Sequence, residues 1–312
     1  MKAGVVLNPV AGGGGLANAR LVLEAALARH FSEWEIRTTE GTGDGAHLAM
    51  AFAAEGYDLV IAAGGDGTGS EVAAGLIQAR LERGGAPALA LLPCGTGTDF
   101  ARGLGLSRKI DETIARAASS EPREIDAGAL SYVDDQGALA SRFFLNISSA
   151  GLSGPVNRAV NRDNRKGKMS AKLLFYWRTV SEFIRYRFQT VRLSIDGAEP
   201  IEAHIALVAV CNGRFFGGGM MIAPDARLDD GVFDIVVVRA SGKLGLIWDL
   251  RLLYGGRHRN HPAISILRGK KIIIEPVGDV GPNGVQIEAD GEVLGRCPAT
   301  IETLPRALTL RA

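Results

Sequence analysis

Short apolar runs that alternate with helix-spaced segments constrain this chain more than any other feature. Ala3–Leu7 and Ala88–Leu92 are wholly apolar, Asp58–Ala63 is apolar after its first residue, and Trp34–Thr39 reads as a further strand. The spacing predicts helices over Leu16–His30, Gly45–Glu55 and Ser70–Glu82, and another from Asp99. Strands that are apolar on both faces belong to a parallel sheet covered by helices. Ligands of such sheets bind beyond the carboxyl ends of the strands, and the glycines of this chain gather there.

From about Arg123 the pattern changes. Arg142–Ile147, Val191–Ile195, Ala203–Val210, Val232–Val238, Lys271–Glu275 and Val285–Ala289 read as strands separated by turns. Helical inserts are expected near Lys172–Phe188 and Leu244–Tyr254. The fold class expected is an α/β N-terminal domain with a parallel sheet, residues 1–125, followed by a mainly antiparallel, sandwich-like β domain, residues 126–312. The strand-like tail Ala307–Leu310 is free to pack on either.

Bulk properties exclude several functions. With 312 residues and a net charge of +1, the chain as a whole offers no attraction to nucleic acid. Its three cysteines, Cys94, Cys211 and Cys297, lie far apart and have neither disulfide nor zinc spacing. The five histidines show no metal spacing either. A strand begins almost at the N-terminus, which argues against a signal peptide, and the longest apolar runs are far too short to span a bilayer. A cytoplasmic protein is expected.

Three glycine-rich motifs fall at strand ends: Asn8-Pro9-Val10-Ala11-Gly12-Gly13-Gly14, Gly64-Gly65-Asp66-Gly67-Thr68, and Pro93-Cys94-Gly95-Thr96-Gly97-Thr98-Asp99. Glycine lets a backbone approach a ligand closely, and N–H groups at a following helix start can cradle phosphate. A carboxylate inside such a loop, as at Asp66, would repel a polyphosphate unless it meets a metal, a proton or a ribose hydroxyl. Any one of these loops also suits a tight strand-to-helix turn; three at successive strand ends favour a ligand. The P-loop pattern is absent, and Gly12-x-Gly14-x-x-Ala17 lacks a well-placed acid at the end of the second strand, so a dinucleotide fingerprint is poorly met.

The order Asn-Pro-x-x-Gly, Gly-Gly-Asp-Gly-Thr-x-x-Glu and Gly-Thr-x-x-Asp-Phe-Ala-Arg resembles the diacylglycerol kinase catalytic domain family, which also includes sphingosine and ceramide kinases. The resemblance continues through Asn146-Ile147-Ser148-Ser149-Ala150-Gly151, Ala223-Pro224-Asp225-Ala226-Arg227-Leu228-Asp229-Asp230-Gly231 and Asp290-Gly291-Glu292. It implies an ATP-dependent, Mg²⁺-requiring lipid kinase with a nucleotide cleft between two domains, the second of which takes the lipid. ATP-binding positions would be Asn8, Pro9, Val10, Ala11, Gly12, Thr39, Gly65, Asp66, Gly67, Thr68, Gly69, Ser70, Glu71 and Thr96. Asp66 and Asp99 would belong to a water-mediated Mg²⁺ network, and Arg227, Asp230 and Val232 to a structural Mg²⁺ site. Asp290 and Glu292, with Asp66, would be the catalytic acids. Thr98 departs from the usual Asn, Arg227 from the usual Lys, and Gly69 is less familiar after Thr68. Diacylglycerol, a sphingoid base and ceramide all stay open as substrate, and so does a homodimer.

Read without the family, Asp229-Asp230-Gly231 and Asp290-Gly291-Glu292 are simply good turns. The rival readings are an NAD kinase, whose nucleotide loop is also Gly-Gly-Asp-Gly, and an inactive nucleotide- or lipid-binding regulator. Asn157–Arg192 carries Arg158, Arg162, Arg165, Lys166, Lys168, Lys172, Arg178, Arg185, Arg187 and Arg192 against Asp163 and Glu182. Its aromatic and aliphatic residues recur at helical spacing. A basic aromatic helix suits an anionic membrane surface, and a helix packed on its own domain with solvated arginines has the same pattern. The membrane reading places the protein transiently at the inner face of the membrane.

Overall fold

The computed structural model describes residues 1–15, 19–95, 97–164, 171–240 and 252–312, with side chains omitted for 161–164 and 171–176. The chain forms two compact units: unit 1 is Met1–Ala127 with Pro305–Ala312, and unit 2 is Gly128–Leu304.

Unit 1 contains β1 (Lys2–Leu7), α1 (Arg20–His30), β2 (Glu33–Thr38), α2 (Asp44–Ala54), β3 (Leu59–Gly64), α3 (Asp66–Arg83), β4 (Ala88–Pro93), α4 (Asp99–Gly103) and α5 (Ile110–Ser119). Its sheet runs β4-β3-β1-β2 with every pair parallel. β3 and β4 are buried along their whole length, as doubly covered parallel strands must be. Leu23, Leu27, Phe31, Leu59, Ile61, Leu92 and Ile114 fill one core against the sheet.

Two features differ from the sequence expectation. α3 starts at Asp66 rather than near Ser70, so the Gly-Asp-Gly-Thr segment is the first turn of a helix, not a loop before it. The stretch after Asp99 makes two helices separated by Leu104 to Lys109, because α4 closes after five residues. The C-terminal strand returns to unit 1 and sets Leu310 beside Leu89 of β4 in parallel. Arg311 donates to the carbonyls of Ala118 and Ser120, which anchors the tail further.

β5 (Arg123–Asp134) leads into unit 2. There β6 (Leu139–Phe144), β7 (Ile147–Gly151), β8 (Gln189–Ile195), β9 (Ile201–Cys211), β10 (Phe215–Phe216), β11 (Met220–Met221), β12 (Phe233–Arg239), β13 (Ile264–Gly269), β14 (Lys271–Val277), β15 (Gln286–Ala289) and β16 (Glu292–Leu310) follow. Among the described residues the strand pairs within the unit are antiparallel. The order β13-β12-β9-β7-β15-β16 closes through β14 and β8 back to β9. Phe144, Phe233, Val208, Val210, Ile272, Ile274, Ile287 and Ile301 lie in its core. The helical insert is α6 (Ser153–Asn164) and α7 (Ala171–Arg185). Most of the second insert expected, residues 244–251, lies outside the described residues. Among the described residues no helix is long and apolar enough to cross a membrane.

Candidate active site

In unit 1 the three glycine motifs gather at the carboxyl ends of β1, β3 and β4. Asn8, just past β1, donates from Nδ2 to Thr68 Oγ1 at 3.0 Å, and its Oδ1 accepts the Val10 N–H at 3.1 Å. One amide therefore fixes the first loop to the first turn of α3. Gly12 follows in a short 3-10 turn at φ +60, and a Cβ there would stand 2.1 Å from the Cys94 carbonyl oxygen. Only glycine permits that approach and that φ together. Pro9, Val10 and Ala11 cross between these two fixed points.

Asp66 has a definite partner. Its carboxylate accepts the N–H of Asp99 at 2.7 Å and of Phe100 at 3.3 Å, while its own N–H donates to the Gly97 carbonyl at 3.1 Å. It thus caps the start of α4 from the first turn of α3, where two helix N-termini favour negative charge. Asp99 is buried beside it, with Arg102 Nε at 3.6 Å. Two neighbouring carboxylates repel unless positive charge lies close. Arg102 supplies one such charge.

The other expected nucleotide positions divide by role. Thr68 and Ser70 are buried in the first turns of α3. Glu71 accepts the Gly43 and Gly45 N–H groups at 2.8 and 3.0 Å, so its carboxylate holds the start of α2. Thr39 is buried after β2 and donates its N–H to the Leu7 carbonyl. A Cβ on Gly69 would meet Leu91 at 3.2 Å, so its role includes packing α3 on β4. Gly65 is the extended N-cap of α3, and Gly67 lies in its first turn. Thr96 lies outside the described residues. Sequence reading passed over Arg108, which reaches back to Thr98 Oγ1 at 3.1 Å and brings a guanidinium to the third loop. Burial pushes the nearby Cys94 thiol up to about 11, so Cys94 offers no thiolate at neutral pH.

Unit 2 brings two other motifs together. Asp290 sits at φ 49, a left-handed conformation that Asp tolerates. Its carboxylate accepts three consecutive N–H groups, from Leu145 at 2.8 Å, Asn146 at 2.9 Å and Ile147 at 3.1 Å. These bonds explain why the expected strand Arg142–Ile147 breaks into β6 and β7: its backbone donors at the break go to a side chain. Glu292 pairs with Arg142 at 2.7 Å.

The Asp229–Val232 segment is held by ion pairs. Arg268 forms an ion pair with the Asp230 carboxylate, whose other oxygen accepts the Val232 N–H at 3.4 Å. Arg227 turns its side chain to Asp229 at 3.2 Å. Asp234, buried behind them, has its carboxyl pushed up, mainly by burial. A guanidinium thus lies against Asp230. Among the described residues no three His, Cys, Asp or Glu side chains converge as metal ligands.

A helix-covered parallel sheet with glycine-rich loops at its strand ends, joined to an antiparallel β unit that carries an acidic turn, suits a nucleotide-dependent kinase. Residues 2–130 match the diacylglycerol kinase catalytic domain, and residues 146–312 match the YegS C-terminal NAD kinase beta sandwich-like domain. A diacylglycerol kinase of Mycobacterium tuberculosis is 30% identical over 98% of this chain and 94% of its own length. The crystal structure of a Bacillus anthracis protein assigned as a diacylglycerol kinase superposes with a TM-score of 0.78, at 27% identity over 99% of this chain and 94% of that one. An Archaeoglobus fulgidus NAD kinase shares the fold alone, at 15% identity and a TM-score of 0.51, covering 100% of this chain and 94% of its own. The chain belongs to the diacylglycerol kinase family and is an ATP-dependent lipid kinase.

Proposed function

We propose that this protein transfers the γ-phosphoryl group of ATP to a hydroxyl of a diacylglycerol-like membrane lipid. The observation that carries the reading is the near full-length match to relatives named diacylglycerol kinase, joined to a site whose parts suit that chemistry. Phosphoryl transfer depends on positioning and on neutralising charge. The N–H groups in the first turn of α3, with Arg102 and Arg108, hold the phosphates, since Asp66 already takes the first N–H groups of α4. Mg²⁺ near Asp66 and Asp99 supplies further positive charge when bound. The carboxylate of Asp290 gives three of its roughly four acceptor positions to backbone N–H, which leaves room for a substrate hydroxyl. That hydroxyl attacks the γ-phosphorus, the bond to the β-phosphate oxygen breaks with its electrons on ADP, and the hydroxyl proton passes to the carboxylate that orients it.

The lipid is met at an anionic membrane surface through residues 157–192. Trp177 and Ile184 stand seven residues apart on α7, 56% and 58% exposed, with Arg178 and Arg185 next to them in sequence. This pattern supports interfacial binding and a cytoplasmic protein that visits the membrane transiently. Of the lysines and arginines expected there, 162, 165, 166, 168 and 172 lie outside the side chains described.

The test is incubation with labelled ATP and Mg²⁺ against diacylglycerol, a sphingoid base, ceramide and NAD. Label in phosphatidic acid is expected. Label in phosphorylated sphingoid base or ceramide moves the lipid within the family, and label in NADP overturns the reading.

A further inference from the structure

Strand β15 reads Gln286-Ile287-Glu288-Ala289, and all four residues are buried. Glu288 is only 2% exposed in the interior of unit 2. A carboxyl in that position loses its hydration and persists only where polar partners replace it. Three partners do so directly, and a fourth residue supports one of them. Ser149 Oγ of β7 makes a very short bond to Oε1. Asn157 Nδ2 of α6 donates to Oε2 at 3.0 Å, and the Gly291 N–H donates to the same oxygen at 3.0 Å. Ser149 Oγ is also 2.7 Å from Ser153 Oγ, in the first turn of α6.

These bonds interlock two sequence motifs with a helix. The β15–β7 register sets Glu288 opposite Ser149, and Ser148 Oγ donates to the Glu288 carbonyl at 2.9 Å. Gly291 lies between Asp290 and Glu292, so Oε2 holds the middle of the acidic turn. Asn157 ties the same carboxyl directly to α6, where the basic segment begins, and Ser153 does so through Ser149. α6 comes close because Gly154 has no side chain: a Cβ there would lie 2.6 Å from Gln286 Cβ.

The donor chemistry also locates a proton. Asn157 Nδ2 and the Gly291 N–H can only donate, so Oε2 is an acceptor in either ionisation state. Oε1 faces a hydroxyl that can donate or accept, so a proton on the carboxyl sits at Oε1 and points at Ser149. Burial pushes the Glu288 carboxyl up to about 7. The titratable neighbours are Asp290 on its own turn and Cys211 on β9, and α6 faces it with Asn157 and Ser153.

We propose that Glu288 is a positioning residue for phosphoryl transfer, tying the Asp290–Gly291–Glu292 turn to the start of α6 through Gly291, Ser149 and Asn157. The proposal rests on the reading of Asp290 as the group that orients the lipid hydroxyl. A glutamine side chain can reproduce every bond of the protonated form, with its NH₂ toward Ser149 and its carbonyl toward Asn157 and Gly291. A leucine fills the space and makes none.

The experiment is steady-state kinetics on Glu288→Gln, Glu288→Leu, Ser149→Ala and Asp290→Asn, with lipid in mixed micelles, from about pH 6 to pH 9. Glu288→Leu is expected to lose roughly tenfold or more in kcat while KM for ATP stays within about twofold. Glu288→Gln should retain most of the turnover and flatten any inflection near pH 7. Ser149→Ala, a smaller perturbation, should lower kcat in the same direction, and it keeps the test open if Glu288→Leu does not fold. Full turnover in folded Glu288→Leu, or in Ser149→Ala if Glu288→Leu is lost, overturns the proposal while Asp290→Asn is inactive. Full turnover in Asp290→Asn overturns the underlying reading of the turn instead.

Discussion

Replacing Glu288 by Gln should make the protein more stable, and only at neutral and alkaline pH. In the folded protein the carboxyl is pushed from its usual 4.5 up to about 7, burial being the largest cause and the bonds from Ser149 and Gly291 opposing it. The folded state therefore holds a proton that the unfolded chain has already released between about pH 4.5 and 7. Wild-type stability is unaffected by this group below about pH 4.5, falls as pH rises through that window, and carries the whole penalty above it. The interval is about 2.5 pH units at about 1.4 kcal/mol each, or about 3.5 kcal/mol. Glutamine keeps the bonds and cannot ionise. The two proteins should melt together near pH 5 and separate by roughly 7–14 °C near pH 8.5, at about 2–4 °C per kcal/mol. Scanning calorimetry in buffers across that range reads this directly. A constant offset between the two curves, or a variant less stable at pH 8.5, refutes the reasoning.

Asp66→Asn keeps an oxygen that can accept from the Asp99 N–H, so folding should survive within about 1 kcal/mol, while turnover falls about 10²–10³-fold; steady-state rates and thermal melts read the two separately. Asp290→Asn should lower kcat and kcat/KM for lipid together and leave ATP affinity, measured by calorimetry, little changed. Gly12→Ala sets a methyl against the Cys94 carbonyl at a φ unsuited to alanine, and ATP binding should weaken at least tenfold, with circular dichroism unchanged. Arg108→Ala should raise KM for ATP several-fold and leave KM for lipid unchanged, since its contacts lie on the third glycine loop.

What the sequence determined by itself lies in the local periods. Apolar runs such as Leu59–Gly64 can only be buried strands, and the helices between them leave a parallel sheet with its loops at one end. Asn8, Gly12 and Asp66 were legible as candidate site residues because glycine and a carboxylate at successive strand ends have few other uses. Glu288 was not legible. In the sequence it is one polar residue in a strand, where alternation alone would face it to solvent, and only the closure of β15 between β7 and β16 buries it. Its partner Ser149 lies 139 residues away, and Asp290 meets Leu145 across 145. Tertiary structure likewise decided that Asp66 caps α4, that Arg268 rather than open space faces Asp230, and that the last strand returns to β4. Local sequence sets which segments are strands and helices, because dihedral preference and apolar period act within a few residues. Which carboxylate meets which backbone donor is set by strand register and closure, and those depend on the whole sheet packing at once.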